Sequence, residues 1–238
     1  MELKLLFTPQ DLARQYEIRG AFFSHDGTPN CPHPVLTSPD AEGLERHAGH
    51  YINSPMALRD ASLLEQIAMD LGEMLSFLTA EFDQVDQVIG LANGATNLST
   101  VLGIAITHRR ARACLVGHTT KVGEGLNKRI IWNGPSFRKG EERIIPVEDV
   151  LSTGGSLALA AQAVEENGAL VLPCVIAPIN QSGKREINGS RILSILNLKP
   201  IQTWPKDKCP FCQMGSEAIC HPKKNWDRLT TRTHALKA

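Results

Sequence analysis

Leu63, Leu64, Ile67, Ala68, Leu71, Met74, Leu75 and Leu78 recur at intervals of three and four residues, the stripe of an amphipathic helix with one face in a core. The helix is predicted to start near Asp60. Beyond it the pattern changes to short apolar runs. Val88-Ile-Gly-Leu91 reads as a buried strand, Ala92 to Thr96 as a small-residue loop, and about Leu98 to Thr107 as a helix. Strand, loop and helix return at Ala113 to Val116, at Ile144 to Glu165, and at Leu170 to Ile176, with Arg191 to Leu196 after it. This alternation predicts an α/β fold with a mostly parallel sheet flanked by helices and right-handed crossovers. Near the N-terminus, Thr8-Pro-Gln-Asp11 supplies a cap, a first-turn proline and an acidic residue, so a short helix should run to about Ile18 and stop at Gly20. Ala21 to Asn53 holds seven glycines and prolines and four histidines. It is predicted to be mostly loop with two short strands, and its length favours a functional cap over a plain connection.

Composition narrows the function. The chain has 238 residues, 42% of them apolar, and 25 basic side chains balance 25 acidic ones. It can bury a sizeable core, and its net charge makes no case for nucleic acid or an anionic membrane as partner. No stretch of about 18 uncharged apolar residues occurs, and the N-terminus lacks the pattern of a secretion signal, so a cytoplasmic protein is expected. Six cysteines stand at 31, 114, 174, 209, 212 and 220. Cys114 and Cys174 lie in apolar runs, where buried free thiols are expected.

The chemistry concentrates in Arg143-Ile-Ile-Pro-Val-Glu-Asp-Val-Leu-Ser-Thr-Gly-Gly-Ser156. Ile144 to Val147 form a strand, and Glu148 and Asp149 sit at its C-terminal edge, where open α/β sheets place ligands. Two adjacent carboxylates suit the two hydroxyls of a ribose. Ser152, Thr153, Gly154, Gly155 and Ser156 then make a turn whose N–H groups, at a helix start, can hold a phosphate. Pro146 gives up a ladder hydrogen bond, which predicts a bulge or an edge there.

This order of parts resembles the phosphoribosyl diphosphate (PRPP) motif of the type I phosphoribosyltransferases. Within that group the orotate phosphoribosyltransferase branch is the most similar, over roughly residues 20 to 226. Arg46-His-Ala-Gly-His-Tyr-Ile-Asn53 resembles its hood strand, Gly90-Leu-Ala-Asn-Gly-Ala-Thr96 its pyrophosphate loop, Lys121-Val-Gly-Glu-Gly125 its catalytic loop, and Cys209-Pro-Phe-Cys-Gln-Met-Gly215 the tail of some longer members. The resemblance implies an N-terminal helix and hood over 1–58, a phosphoribosyltransferase core over 59–200, and a Cys-containing C-terminal extension over 201–238. It implies transfer of the phosphoribosyl group of PRPP to a pyrimidine-like base with Mg²⁺ and release of pyrophosphate. Glu148, Asp149, Lys121 and Glu124 would be catalytic. Asn93 and Gly94 would join residues 148–149 and 152–156 in holding PRPP, and His47, Tyr51 and Asn180 would face the base. A homodimer is implied, because the family's catalytic loop reaches the neighbouring subunit.

The chain also departs from that family. Its hood lysine falls on His47, its pyrophosphate-loop lysine on Asn93, two cations ahead of the catalytic lysine on Gly117 and His118, and its orotate-recognising arginine on Asn180. These losses leave room for a purine-type transferase or for a non-catalytic PRPP or nucleotide sensor. They also predict a neutral base such as uracil, or orotate held by Lys184 or Arg185. Residues 117–140 carry five glycines and six basic residues without apolar order, which predicts a mobile loop, with a solvated hairpin as the alternative. Cys209-x₂-Cys212 with Cys220 could bind structural Zn²⁺ if Cys31 or His33 completed the set, and a tight turn with free thiols is the competing arrangement.

Overall fold

The computed structural model describes residues 3–36, 44–123 and 129–234. In chain order the elements are α1 (Pro9–Ile18), β1 (Phe22–Ser24), β2 (His33–Leu36), β3 (Arg46–Ala48), β4 (His50–Ile52), α2 (Ser54–Leu58), α3 (Ala61–Leu78), β5 (Gln87–Gly90) and α4 (Ala92–Arg110). Then come β6 (Leu115–Val122), β7 (Arg129–Trp132), β8 (Arg143–Val147), β9 (Val150–Leu151), α5 (Gly155–Glu166), β10 (Leu170–Val171), β11 (Cys174–Ile176) and β12 (Ile179–Asn180). The chain closes with β13 (Glu186–Ile187), β14 (Ser190–Leu193), β15 (Leu196–Asn197), β16 (Thr203–Pro205), α6 (Pro210–Gln213), β17 (Ala218–Ile219) and α7 (Trp226–His234). No described helix is long and apolar enough to cross a membrane.

Two compact units result. The first comprises Met1–Gln15, Ser54–Val122 and Arg129–Pro200. Its main sheet runs β13-β14-β11-β8-β5-β6-β7, with β10 also beside β8. The pairs from β14 to β6 are parallel, and β13 and β7 close the two ends antiparallel. This is the mostly parallel sheet that the alternating pattern predicts. Leu91, Leu151, Leu157, Val175 and Ile187 share one buried apolar cluster; Ile89, Trp132, Ile144 and Val164 share another. Cys114 and Cys174 are buried free thiols, as expected, and burial pushes Cys174 up to about 12.

Local signals set the helix starts. The Asp60 carboxylate accepts from the N–H groups of Ser62 and Leu63 and caps α3, and its apolar stripe is buried from Leu63 to Leu75. At α1, Asp11 N–H donates to the Thr8 hydroxyl and Thr8 N–H donates to the Asp11 carboxylate, both at 3.1 Å. This is a reciprocal cap with Asp in place of the usual Glu. Gly20 ends the segment at φ 61°.

Three expectations are corrected. The helix placed at about Leu98 begins at Ala92, so the small-residue loop is its first turn. Close packing on β5 outweighs the poor helix propensity of Asn93 and Gly94: a Cβ at Gly90 would stand 2.8 Å from the Ala95 carbonyl oxygen. Pro146 lies neither at an edge nor in a bulge of its own strand, since β8 is flanked by β5 and β11. The irregularity sits in the neighbour. Ile144 O accepts from Leu172 N–H and Glu148 N–H donates to Ile176 O, both at 2.9 Å, and the missing donor at 146 falls between them, where β10 and β11 are interrupted. Residues 117–140 are not one loop. β6 and β7 pair antiparallel from Thr119↔Trp132 to Val122↔Arg129, as in the hairpin alternative, with Ile130 and Trp132 buried and Ile131 exposed between them.

The second unit comprises Tyr16–Asn53, Gly123–Lys128 and Ile201–Ala238. β1 pairs with β4, and a four-stranded sheet runs β16-β3-β2-β17. Hood and C-terminal segments therefore share one sheet, and the region read as mostly loop carries four strands.

In the first unit, Asp70 on α3 is buried and accepts from Leu6 N–H at 2.7 Å and Phe7 N–H at 2.9 Å. Asp70→Ala leaves those donors unpaired and should cost about 1–3 kcal/mol. Urea unfolding of wild type and variant measures this, and a change under about 0.5 kcal/mol would contradict it.

Candidate active site

The C-terminal ends of β8 and β5 lie side by side, because the two strands pair in parallel from Gln87↔Ile144 to Gly90↔Val147. Leu91 N–H extends that pairing by donating to Val147 O at 2.8 Å. The next residues on each strand therefore emerge together. Glu148 is half-buried and Asp149 is buried, and Gly94 in the first turn of α4 faces the latter. A Cβ built at Gly94 would stand 2.6 Å from the Asp149 carboxylate. Only glycine leaves that space open.

After β9 the chain turns through Ser152 and Thr153, both exposed, into α5. Gly154 precedes the helix at φ 78°, a left-handed conformation that favours glycine. A side chain there would also run into Ile187. Asn188 holds the turn from outside, its amide donating to Gly154 O at 3.1 Å. Thr153, Gly155 and Ser156 thus present hydroxyl and N–H groups at a helix start, the combination that suits a phosphate. The structure brings together Glu148, Asp149, Gly94 and the 152–156 turn in one unit. Lys121 stands exposed on β6, opposite Ile130 in register. Glu124 and the Asn93 side chain lie outside the described residues.

A polar cleft of about 660 Å³ in the same unit is lined by Asn180, Lys184, Arg185, Arg191 and Asn197, among others. Asn180 organises its wall. The amide nitrogen donates to Lys184 O at 2.8 Å and to Asn197 Oδ1 at 2.9 Å, while its oxygen accepts from Ser182 N–H at 3.0 Å and the Ser182 hydroxyl at 2.6 Å. All four hydrogen-bonding positions of the amide are occupied, so the structure uses Asn180 to shape the 180–184 turn.

Comparison with known proteins decides the family. The chain is 34% identical over 174 residues to an orotate phosphoribosyltransferase of Thermus thermophilus, covering 70% of this chain and 88% of that protein. It is 30% identical over 171 residues to one of Caldicellulosiruptor saccharolyticus, covering 71% and 80%. The chain belongs to the orotate phosphoribosyltransferase family. Its fold is that of a type I phosphoribosyltransferase: it superposes on an orotate phosphoribosyltransferase of Aeropyrum pernix with a TM-score of 0.53 at 23% identity, covering 79% of this chain and 93% of that one. No protein-family model matches the chain.

Membership in the orotate phosphoribosyltransferase family makes it a pentosyltransferase enzyme, so the sensor reading gives way. Two of the residues assigned to the base, His47 and Tyr51, lie in the second unit. In the second unit His47 is buried on β3, with Nδ1 2.8 Å from His33 Nε2 and 3.4 Å from Cys212 Sγ. Tyr51 is half-buried with its ring 6.2 Å from that of Trp226. Cys209 joins the histidine group and Cys220 does not: His33, His47, Cys209 and Cys212 lie with their ligand atoms within 4.8 Å of one another. Cys220 is exposed, and the expectation that it completes a cysteine trio is corrected. Burial is the main cause that pushes His33 down to about 4, followed by the nearby His47 and His25. His33 was legible as a completing ligand, but His47 was hidden by its place in the hood motif.

Packing also leaves no room for a side chain at Gly117. A side chain at 117 would collide with the Trp132 ring, which stacks on Phe137 with ring centroids 4.8 Å apart and donates from Nε1 to Pro135 O at 2.8 Å. Gly117→Lys should displace Trp132 and cost about 1–3 kcal/mol of stability. A thermal melt read by tryptophan fluorescence checks this, and an unchanged midpoint would contradict the packing.

Proposed function

We propose that the protein transfers the 5-phosphoribosyl group of PRPP to orotate and releases pyrophosphate. The observation that carries this reading is the placement of Glu148 and Asp149 at the end of β8, with Gly94 against Asp149 and the 152–156 turn opening α5. In this reading the backbone and hydroxyl groups of Thr153 to Ser156 hold the 5′-phosphate, and Glu148 and Asp149 accept hydrogen bonds from the ribose hydroxyls. The open space at Gly94 lets the pyrophosphate end come close to the first turn of α4.

The reaction breaks the bond between C1 of the ribose and the pyrophosphate oxygen, whose electron pair leaves with pyrophosphate. A ring nitrogen of the base forms the new bond to C1, and the proton it carried passes to water or to the released pyrophosphate. Positive charge builds on the ribose ring between these events, and fixed acceptors on its hydroxyls orient it without reorganising. The oxygens of Glu148 and Asp149, together with the substrate's own phosphates, would suit Mg²⁺, which would supply charge neutralisation for the leaving group. Lys121, on β6 just ahead of the 124–128 segment, is assigned to the leaving pyrophosphate, in a homodimer whose subunits complete one another's sites.

Orotate carries a carboxylate that needs a cation once it leaves water. With Asn180 fully engaged, Lys184 and Arg185 are its assigned partners in the cleft.

Four measurements test the reading. Orotate consumption followed at fixed PRPP and Mg²⁺ should exceed that of uracil and of purine bases; turnover of a purine in preference to orotate would overturn it. Asp149→Asn removes a charged acceptor worth about 1.5–3 kcal/mol, so PRPP binding by calorimetry should weaken roughly ten- to hundredfold. Lys121→Ala should lower kcat with PRPP binding largely kept, and a Lys184→Ala/Arg185→Ala pair should raise KM for orotate about tenfold or more. Orotate turnover that survives the double substitution unchanged would remove Lys184 and Arg185 from the base site.

A further inference from the structure

We propose that the second unit contains a structural zinc site formed by His33, His47, Cys209 and Cys212. Its four side chains come from three separate pieces of chain. His33 lies on β2 and His47 on the antiparallel β3, where Val35 pairs with His47; residues 33 and 35 point to the same face of a strand, so both imidazoles stand on one side of the sheet. Cys209 caps the single turn of α6 and Cys212 lies within it, with Gly215 following at φ 85°. Phe211 between them seats this turn, with its ring 4.2 Å from that of His25 and 5.4 Å from that of Trp204. It also requires Gly49, where a Cβ would stand 2.7 Å from the Phe211 ring. His33, His47 and Cys209 are buried.

The three sulfur-to-nitrogen distances are those of a tetrahedral ligand set. An ion with bonds of about 2.3 Å to sulfur and about 2.0–2.1 Å to nitrogen spaces its ligands about 3.3 to 3.8 Å apart. Cys212 Sγ lies 3.5 Å from His33 Nε2 and 3.4 Å from His47 Nδ1, and Cys209 Sγ lies 3.8 Å from His33 Nε2. The two ring nitrogens are 2.8 Å apart, a gap that opens by about half an ångström when a cation takes the lone pairs.

A further contact sets the tautomer of His33. The Ser216 hydroxyl spends its one proton on Cys31 O at 2.6 Å. Its 2.8 Å contact with His33 Nδ1 is therefore an N–H donation from the ring, which leaves Nε2 with a lone pair directed at the cluster. This is the outer support that metal-bound histidines usually have. Two thiolates and two neutral imidazoles select a borderline-soft ion such as Zn²⁺ over Mg²⁺. Four protein ligands leave no open position, which marks the site as structural rather than catalytic. The ion would pin the C-terminal segment to strands β2 and β3.

The test uses the full chain, purified without chelators and analysed for metal by plasma mass spectrometry. We expect about one zinc per chain, near-complete loss in Cys209→Ser and in His33→Ala, and full retention in Cys220→Ser. Because a ligand variant can fail to fold, the wild-type protein is also stripped with a chelator and titrated with Co²⁺ alone. The proposal requires intense tetrahedral d–d bands with a sulfur-to-cobalt charge-transfer band, saturating at one equivalent. Restored Zn²⁺ should raise the melting temperature of the stripped protein. A zinc-free protein that gives no thiolate–cobalt spectrum, or a Cys220→Ser variant that loses the metal, would overturn it. Orotate turnover is a separate readout, so failure here leaves the assignment of the active site standing.

Discussion

The parallel pairing of β8 with β5 is the constraint on which the first unit depends. It holds Val147 level with Gly90, so the chain leaving one strand turns into Glu148 and Asp149 while the chain leaving the other turns into α4. The groups proposed to hold the sugar phosphate follow from that adjacency. The buried Asp149 carboxylate occupies the space that a side chain at 94 would fill. The turn before α5 is then fixed from its other side by Ile187 and Asn188, which belong to the β13–β14 hairpin at the far end of the sheet. A rigid sheet thus sets the position of the acceptors, and the glycines leave room for the ligand, a division of labour suited to charge stabilisation without reorganisation.

Much of this was legible in the sequence because its signals are local. A cap at Asp60 and a three-and-four stripe specify α3, Thr8 and Asp11 specify α1, and the run from Ile144 to Ser156 carries strand, carboxylates and phosphate turn within one stretch. Long-range packing hid the rest. Gly94 read as a loop residue and Gly90 as an ordinary strand residue, yet their lack of side chains is what lets α4 start at once against β5 and Asp149. The polar residues of β6 read as a mobile loop, although Trp132, folding over Gly117 and Gly134, gives the hairpin a buried face. Pro146 is tolerated in a central strand because the break lies in the strand opposite, which no local reading of 143–147 can reveal.

The second unit is still less visible from sequence, since its partners are far apart along the chain. His33 meets Cys209 across a separation of 176 residues and Cys212 across 179. A Cys-x₂-Cys pair announces itself, but its histidine partners are scattered through a segment rich in glycine and proline. His47 is buried beside His33, and Gly117 lies under the Trp132 ring, so packing sets the residue at both positions.

The central claim is that the ends of β8 and β5, with the turn before α5, form the PRPP site. A crystal structure of the protein with PRPP and Mg²⁺ tests it most directly. The account predicts the 5′-phosphate against the N–H groups of Thr153 to Ser156, the ribose hydroxyls at Glu148 and Asp149, and the pyrophosphate beside Gly94. A 5′-phosphate bound elsewhere, with the 152–156 turn left empty at saturating PRPP, would contradict it.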